Sequence, residues 1–205
     1  MKKHLSLLAA LLVAGTFSTP AIAADRYVSA NIGLSWMNNI DVEDLDYTSA
    51  SNENFVMDSG ISLLGAVGCD YGSYRLEAEL GYQTNDVNRL TYGSNSAVDF
   101  EGSVSVVSLL ANGYVDLASS GVEPYVTAGV GVAQVSFNEV RPVAFGPAVD
   151  TNETTLAYQF GAGVAFPMGG NVMLDARYRY FATGDFWDNT SIASNSALLG
   201  LRIGF

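Results

Sequence analysis

Eight stretches of this chain place apolar or small residues at every second position, and none of those positions carries a charge. A period of two is the signature of a strand with one apolar and one polar face. The first set is Val28, Ala30, Ile32, Leu34 and Trp36. The others, at alternate positions, run from Ile61 to Tyr71, Tyr74 to Tyr82, Val107 to Leu117, Val126 to Val132, Leu156 to Phe166, Val172 to Tyr180 and Ala197 to Phe205. The intervening face is chemically different. It carries Arg75, Glu77, Glu79, Asn112, Tyr114, Asp116, Gln159, Asp175, Arg177, Arg179 and Arg202.

Two architectures use such strands, a soluble sandwich and a membrane barrel. Three features favour the barrel. Connections alternate between short (near Gly72, Ser120-Gly121 and Gly169-Gly170) and long (38–57, 85–100, 138–153 and 182–194), which matches short periplasmic turns and long extracellular loops. Aromatics gather at strand ends, with Tyr71, Tyr74, Phe166 and Phe205 towards the turns and Trp36, Tyr82, Tyr158 and Tyr180 towards the loops. Such girdles suit the two interfaces of a bilayer. Four arginines on the polar face are hard to hide in a sandwich core but natural in a lumen. The final strand, ending in Phe205, is an apolar edge and a liability unless it closes onto the first.

Composition agrees. The chain is 49% hydrophobic and only 15% charged, yet after residue 23 it has no continuous apolar run of helix-spanning length. Residues 1–23 are expected to be a signal peptide: Lys2 and Lys3, an apolar stretch from Leu5 to Phe17, then Ala21-Ile22-Ala23 as the cleavage site. Residues 24–205 then form the barrel domain, with no lipoprotein cysteine after the cut. Both lysines fall in the leader, leaving seven arginines against 21 acids, a formal balance of −14. That sign argues against nucleic acid or heparin-like partners, which need basic patches. The lone Cys69 excludes an intramolecular disulfide and sits on an apolar face as a small hydrophobe.

The fold expected is all-β: an eight-stranded antiparallel transmembrane β-barrel with short periplasmic turns and four long extracellular loops. A barrel of eight strands is just wide enough inside for its own side chains. Four inward arginines (Arg75, Arg177, Arg179, Arg202) and four inward acids (Glu77, Glu79, Asp116, Asp175) imply a mutually paired lumen network, because guanidinium groups match carboxylates and unpaired buried charge is costly. The same residues could line a narrow pore, for which small inward residues such as Gly129, Gly131, Gly161, Gly163 and Gly200 leave room.

Several stretches resemble the opacity-type surface proteins within the wider family of small outer-membrane β-barrel domains: Asn112-Gly-Tyr114-Val-Asp116, Pro124-Tyr125-Val-Thr-Ala-Gly129-Val-Gly131-Val, Tyr158-Gln159-Phe-Gly161-Ala-Gly163, Leu174-Asp175-Ala-Arg177-Tyr178-Arg179-Tyr180-Phe181 and Phe205. The resemblance implies a single-chain barrel of a Gram-negative outer membrane whose surface loops vary freely. It names no ligand.

The loops carry what recognition there is. Asp41, Glu43, Asp44, Asp46 and Glu53 make the first loop acidic, but it lacks the glycine turn and closing Glu of an EF-hand, so no metal site is assigned. Val143 and Phe145 in the third loop, with Phe186 and Trp187 in the fourth, are candidate contacts for a partner. Catalysis is not expected, since the only histidine, His4, lies in the leader and no imidazole remains as a general base. Carboxylate-pair chemistry by Glu77 and Glu79 stays formally open. No cofactor is expected. The expected partners are outer-membrane lipid and lipopolysaccharide, the barrel-assembly machinery reading Phe205 as an assembly signal, and host or matrix proteins at the loops. The function read from these features is a non-enzymatic integral outer-membrane protein that presents its loops for adhesion or host interaction; the alternative is a narrow porin-like channel or hydrophobic-solute conduit.

Overall fold

The computed structural model describes residues 24–38, 40–41, 53–92, 96–118, 120–142, 149–185 and 191–205. The proposed leader, most of the acidic first loop, and Val143, Phe145, Phe186 and Trp187 lie outside the described residues.

Eight long strands carry the fold: β1 (Asp25–Met37), β2 (Gly60–Asp70), β3 (Tyr74–Tyr92), β4 (Ser96–Asp116), β5 (Glu123–Pro142), β6 (Val149–Gly169), β7 (Val172–Thr183) and β8 (Ala193–Gly204). Each pairs antiparallel with its neighbour in sequence. β1 also pairs with β8 from Tyr27 opposite Gly204 to Met37 opposite Ser194. The sheet is therefore a closed cylinder, and closure removes the edges that an open apolar sheet would expose. Two short strands, Ile40–Asp41 and Glu53–Met57, extend the sheet beside the far part of β3.

The period of two sorts the side chains as the sequence implies. None of the outward apolar set is buried, and Val67, Val130 and Leu199 are each about 60% exposed or more. Arg75, Glu79, Gln159 and Arg179 on the opposite face are 3% exposed or less. Cys69 is a free thiol, half-buried at the turn end of β2. The turn between β2 and β3 relies on Gly72, whose φ of 92° lies in the left-handed region, and the Asp70 carboxylate accepts a 2.8 Å bond from its amide.

The strands are unequal. β1, β2, β7 and β8 have 11–13 residues, close to the 9–11 that cross a bilayer; β3 to β6 have 19–21. The long connections 85–100 and 138–153 thus consist largely of strand, carried out as two hairpins. The alternation fades there: Asn85 to Tyr92 and Ser96 to Phe100 hold no sustained run of apolar residues at every second position. Irregularities in pairing at Asp86/Arg89, Glu101/Ser103 and Phe137/Val140 bend the projection, and Gly102 sits at one of them with φ 130°.

Inward glycines make room for large neighbours. Several stand directly opposite a large inward side chain: Gly68 opposite Tyr27, Gly163 opposite Tyr125, Gly129 opposite Asn112, Gly131 opposite Leu110 and Gly200 opposite Asn31. A Cβ on Gly163 would collide with the Tyr125 ring and one on Gly68 with the Tyr27 ring. Large side chains lie across small neighbours, which is how a narrow cylinder fits them. Gly163→Val should cost about 1–3 kcal/mol by overpacking. Outward Gly113→Val, where a Cβ meets nothing within 4 Å, should be tolerated. Urea unfolding in micelles would show the difference, and equal midpoints would refute the large-against-small packing.

Candidate functional site

The lumen is built from two materials. Towards the turn end it is ionic; towards the loop end an apolar cluster fills one side. The ionic part begins at Arg202, whose Nη2 lies 3.0 Å from a Glu123 carboxylate oxygen. Above it Arg75 grips Asp116 through two bonds of 2.8 Å, from Nε and Nη2. The Arg75 guanidinium also lies over the rings of Tyr114 and Tyr125, at 4.3 and 4.9 Å from their centroids. A weakly hydrated planar cation suits that aromatic surround better than an ammonium would.

Glu77 makes no ion pair within 4 Å among the described residues. It accepts from the Tyr114 hydroxyl at 2.7 Å, from Tyr27 at 3.1 Å and from Ser29 at 3.3 Å. Asp175 likewise accepts from the Tyr125 hydroxyl at 2.7 Å. Tyr114 in turn accepts from Arg177 Nη1 at 2.7 Å, which threads the two layers together. Glu79 sits between two cations, 3.2 Å from Arg177 and 3.7 Å from Arg179. Gln159 donates to Glu79 at 3.2 Å and to Asn112 at 2.6 Å, and accepts from Arg179 Nε. The cavity among Arg75, Glu77, Asp175, Arg177 and Arg202 is about 10 Å³, the space of one water.

Every inward residue read from the sequence therefore points into the lumen, but the pairing is not one acid to one arginine. Two of the four acids are held by hydroxyls, one serves two arginines, and Arg202 takes Glu123, a partner the sequence reading leaves out. The reason is height. Alternation says which face a side chain occupies, whereas the stagger of tilted strands decides which inward residues share a level. Glu123 had a signal available: it has the parity of Tyr125, Thr127 and Gly129, but it sits beside the Gly121 turn and reads as loop.

Beyond Arg179 the character changes. Its guanidinium lies 4.7 Å from the Phe181 ring centroid, and Phe181 belongs to a buried cluster with Met37, Val87, Val104, Val106, Leu110, Ala133, Val135, Ala157 and Ile192. The facing side is polar, where Ser35 and Gln83 donate to Asn85 at 3.1 and 3.0 Å and Ser194 donates to Gln83 at 3.1 Å. The apolar half of the lumen is absent from the sequence reading, which starts the apolar set of β4 at Val107. Val104 and Val106 lie on the opposite parity, alternating with Ser103 and Ser105, so the apolar face of the strand switches from lumen to lipid between Val106 and Val107.

Removing the shared anion leaves two buried guanidinium groups uncompensated, so Glu79→Gln should destabilise the barrel by about 3–5 kcal/mol. Glu77→Gln keeps an acceptor for its hydroxyl donors and should cost clearly less. Unfolding midpoints in urea would rank the two; the reverse order would refute the description of Glu79 as the hub.

The match with known proteins is consistent across chain and fold. Residues 9–205 match the family described as outer membrane protein beta-barrel domain. The outer membrane protein PagN of Salmonella typhimurium is 27% identical over 135 residues, a span covering 57% of this chain and 56% of PagN, so the match takes in little more than half the length of that relative. Neisserial surface protein A has a similar fold, with 22% identity, a TM-score of 0.58, and coverage of 88% of this chain and 97% of that one. The attachment invasion locus protein Ail of Yersinia pestis, solved with the heparin analogue sucrose octasulfate, is 16% identical with a TM-score of 0.46, covering 88% and 99% of the two chains. With a closed eight-stranded cylinder and a matched region that spans nearly the whole sequence, the chain belongs to the outer membrane protein beta-barrel domain family and is an integral outer-membrane protein.

Proposed function

We propose that this protein is a non-enzymatic surface barrel whose working end is extracellular, where its loops and projecting hairpins serve adhesion or host interaction. One observation carries this reading: the lumen is packed from the Arg202 layer to the Val135 layer, while β3 to β6 overrun the membrane by about ten residues. Material that far beyond the bilayer does nothing for spanning it. The residues from 24 onward contain no histidine, and the Glu77 carboxylate is engaged by tyrosine and serine hydroxyls rather than open to a substrate.

The lumen network is structural in this reading. A water-sized cavity has no room for a solute, so planar-bilayer recordings of the refolded protein should show no stable conductance steps. Regular single-channel steps would revive the porin-like alternative. Deletion of 138–153 should lower attachment to host cells or matrix proteins while the barrel keeps its heat-modifiable migration; unchanged attachment would count against the surface role.

The lipid-facing belt meets outer-membrane lipid, with lipopolysaccharide the partner of its outer leaflet. Phe205 lies at the turn end with its ring 77% exposed, and its amide donates to the Arg26 carbonyl at 2.8 Å. That placement keeps the aromatic accessible as an assembly signal while the main chain is tied to β1. Phe205→Ala should slow membrane assembly without blocking export, read as periplasmic accumulation of processed chain; normal assembly would remove the role. The leader of residues 1–23, cut after Ala23, completes the proposal, and N-terminal sequencing of the membrane form checks it.

A further inference from the structure

One arginine stands apart from the clusters described above. After residue 23, Arg75, Arg177, Arg179 and Arg202 belong to the lumen, and Arg89 and Arg141 fall in the far parts of β3 and β5. Arg26 instead shares the outward parity of Val28 and Ala30 and is exposed. It stands opposite Cys69 of β2, and its carbonyl accepts from the Phe205 amide beyond β8, so apolar residues flank it on both sides. The acids beside it in the ladder, Asp25 and Asp70, have the lumen parity of Tyr27 and Gly68. On the same rim the rings of Tyr71 and Tyr74 stack with centroids 4.8 Å apart. An aromatic belt marks the headgroup level of a leaflet, so Arg26 sits at the height of the lipid phosphates on the periplasmic side. A guanidinium matches a phosphate with two parallel hydrogen bonds.

A second feature lies on the same strands. The outer wall dips where Ala30 stands opposite Gly65, with Leu201 of β8 on one side and Leu80 of β3 on the other. The resulting groove is apolar and has a volume of about 790 Å³. A Cβ at Gly65 would meet nothing within 4 Å, so it is missing side-chain bulk that makes the dip. Ala30 is four residues from Arg26 and six from Trp36. At a strand rise of about 3.3 Å per residue, the groove is centred roughly 13 Å along the strand from Arg26 and roughly 20 Å from Trp36. It therefore belongs to the periplasmic half of the hydrocarbon, where the acyl chains of that leaflet run.

We infer that Arg26 and the groove at Ala30 and Gly65 form one binding site for a phospholipid of the periplasmic leaflet. The guanidinium holds the phosphate, and an acyl chain of the same molecule lies in the groove. Hydrocarbon wets the whole apolar wall; what singles out this place is a cation set one strand segment below a dip. The apolar sets above Arg26 carry no charge, so the anionic headgroup has one level at which to pair. The site deepens the proposed contact with outer-membrane lipid and rests on it.

The test uses the full mature chain refolded in maltoside micelles, which contain no phosphate, with native mass spectrometry of bound lipid. The probe is dioleoylphosphatidylglycerol. Dioleoylglycerol keeps its chains and lacks the phosphate, and glycerophosphate does the reverse. Arg26→Gln removes the cation, and Gly65→Leu fills the groove. Gly113→Leu adds the same bulk elsewhere on the outer wall, where a Cβ also meets nothing within 4 Å. These substitutions change outward positions only, so each variant should keep its heat-modifiable migration. The expected result is saturable retention of the phospholipid, about tenfold weaker in Arg26→Gln. Retention should also fall several-fold in Gly65→Leu, stay unchanged in Gly113→Leu, and be far weaker for both comparison ligands. Undiminished binding in Arg26→Gln, or dioleoylglycerol held as well as the phospholipid, would overturn the headgroup contact. Equal behaviour of Gly65→Leu and Gly113→Leu would overturn the groove. Either result, or the lack of saturable binding, removes the site while leaving an unspecific lipid belt in place.

Discussion

A backbone amide in hydrocarbon has no water to bond to, so a sheet that crosses a membrane must meet itself. The pairing of β1 with β8 is where that requirement is met, and the rest of the structure depends on it. Once the sheet is a cylinder, alternation stops being a preference and becomes a partition: one face belongs to lipid, the other to a narrow interior. Val67 and Glu77 are ten residues apart in sequence and on opposite sides of one wall.

The interior then has to solve a packing problem with charged residues. Eight strands leave little cross-section, so bulk on one strand is matched by glycine on the next, as at Tyr27 and Gly68 or Tyr125 and Gly163. Tyrosine is well suited to this place. Its ring fills volume and stacks on Arg75, and its hydroxyl donates to the carboxylates of Glu77 and Asp175. The ionic part gives way at Phe181 to an aliphatic cluster, which needs no polar partners at all. Together the two materials fill the lumen among the described residues.

β3 to β6, at 19–21 residues, are longer than a bilayer crossing needs. Ladders carry β3 to β6 past the point where lipid demands them, whereas β7 ends at Thr183. The asymmetry between four short and four long strands is the feature that turns a symmetric pore-like shape into a surface with a direction.

Much of this was legible in the chain itself. Alternation over Val28–Trp36 or Tyr74–Tyr82 identifies strands and their lipid side because burial against hydrocarbon tolerates no exceptions, and the inward parity of Arg75, Glu77, Arg177 and Arg179 follows at once. The projecting parts of β3 to β6 were not legible as strands, since Asn85 to Tyr92 and Ser96 to Phe100 carry no sustained alternation of apolar and polar residues. The apolar half of the lumen was hidden because the parity of the apolar residues switches within β4: Val104 and Val106 alternate with serines on the lumen side, whereas Val107 and Leu109 carry the lipid side. Which charges meet was decided only in three dimensions. Arg202 and Glu123 lie 79 residues apart, and Glu79 reaches Arg177 across 98, because strand tilt and closure set the height at which inward side chains converge. Sequence determined the face of each residue; the closed, staggered cylinder determined its neighbour.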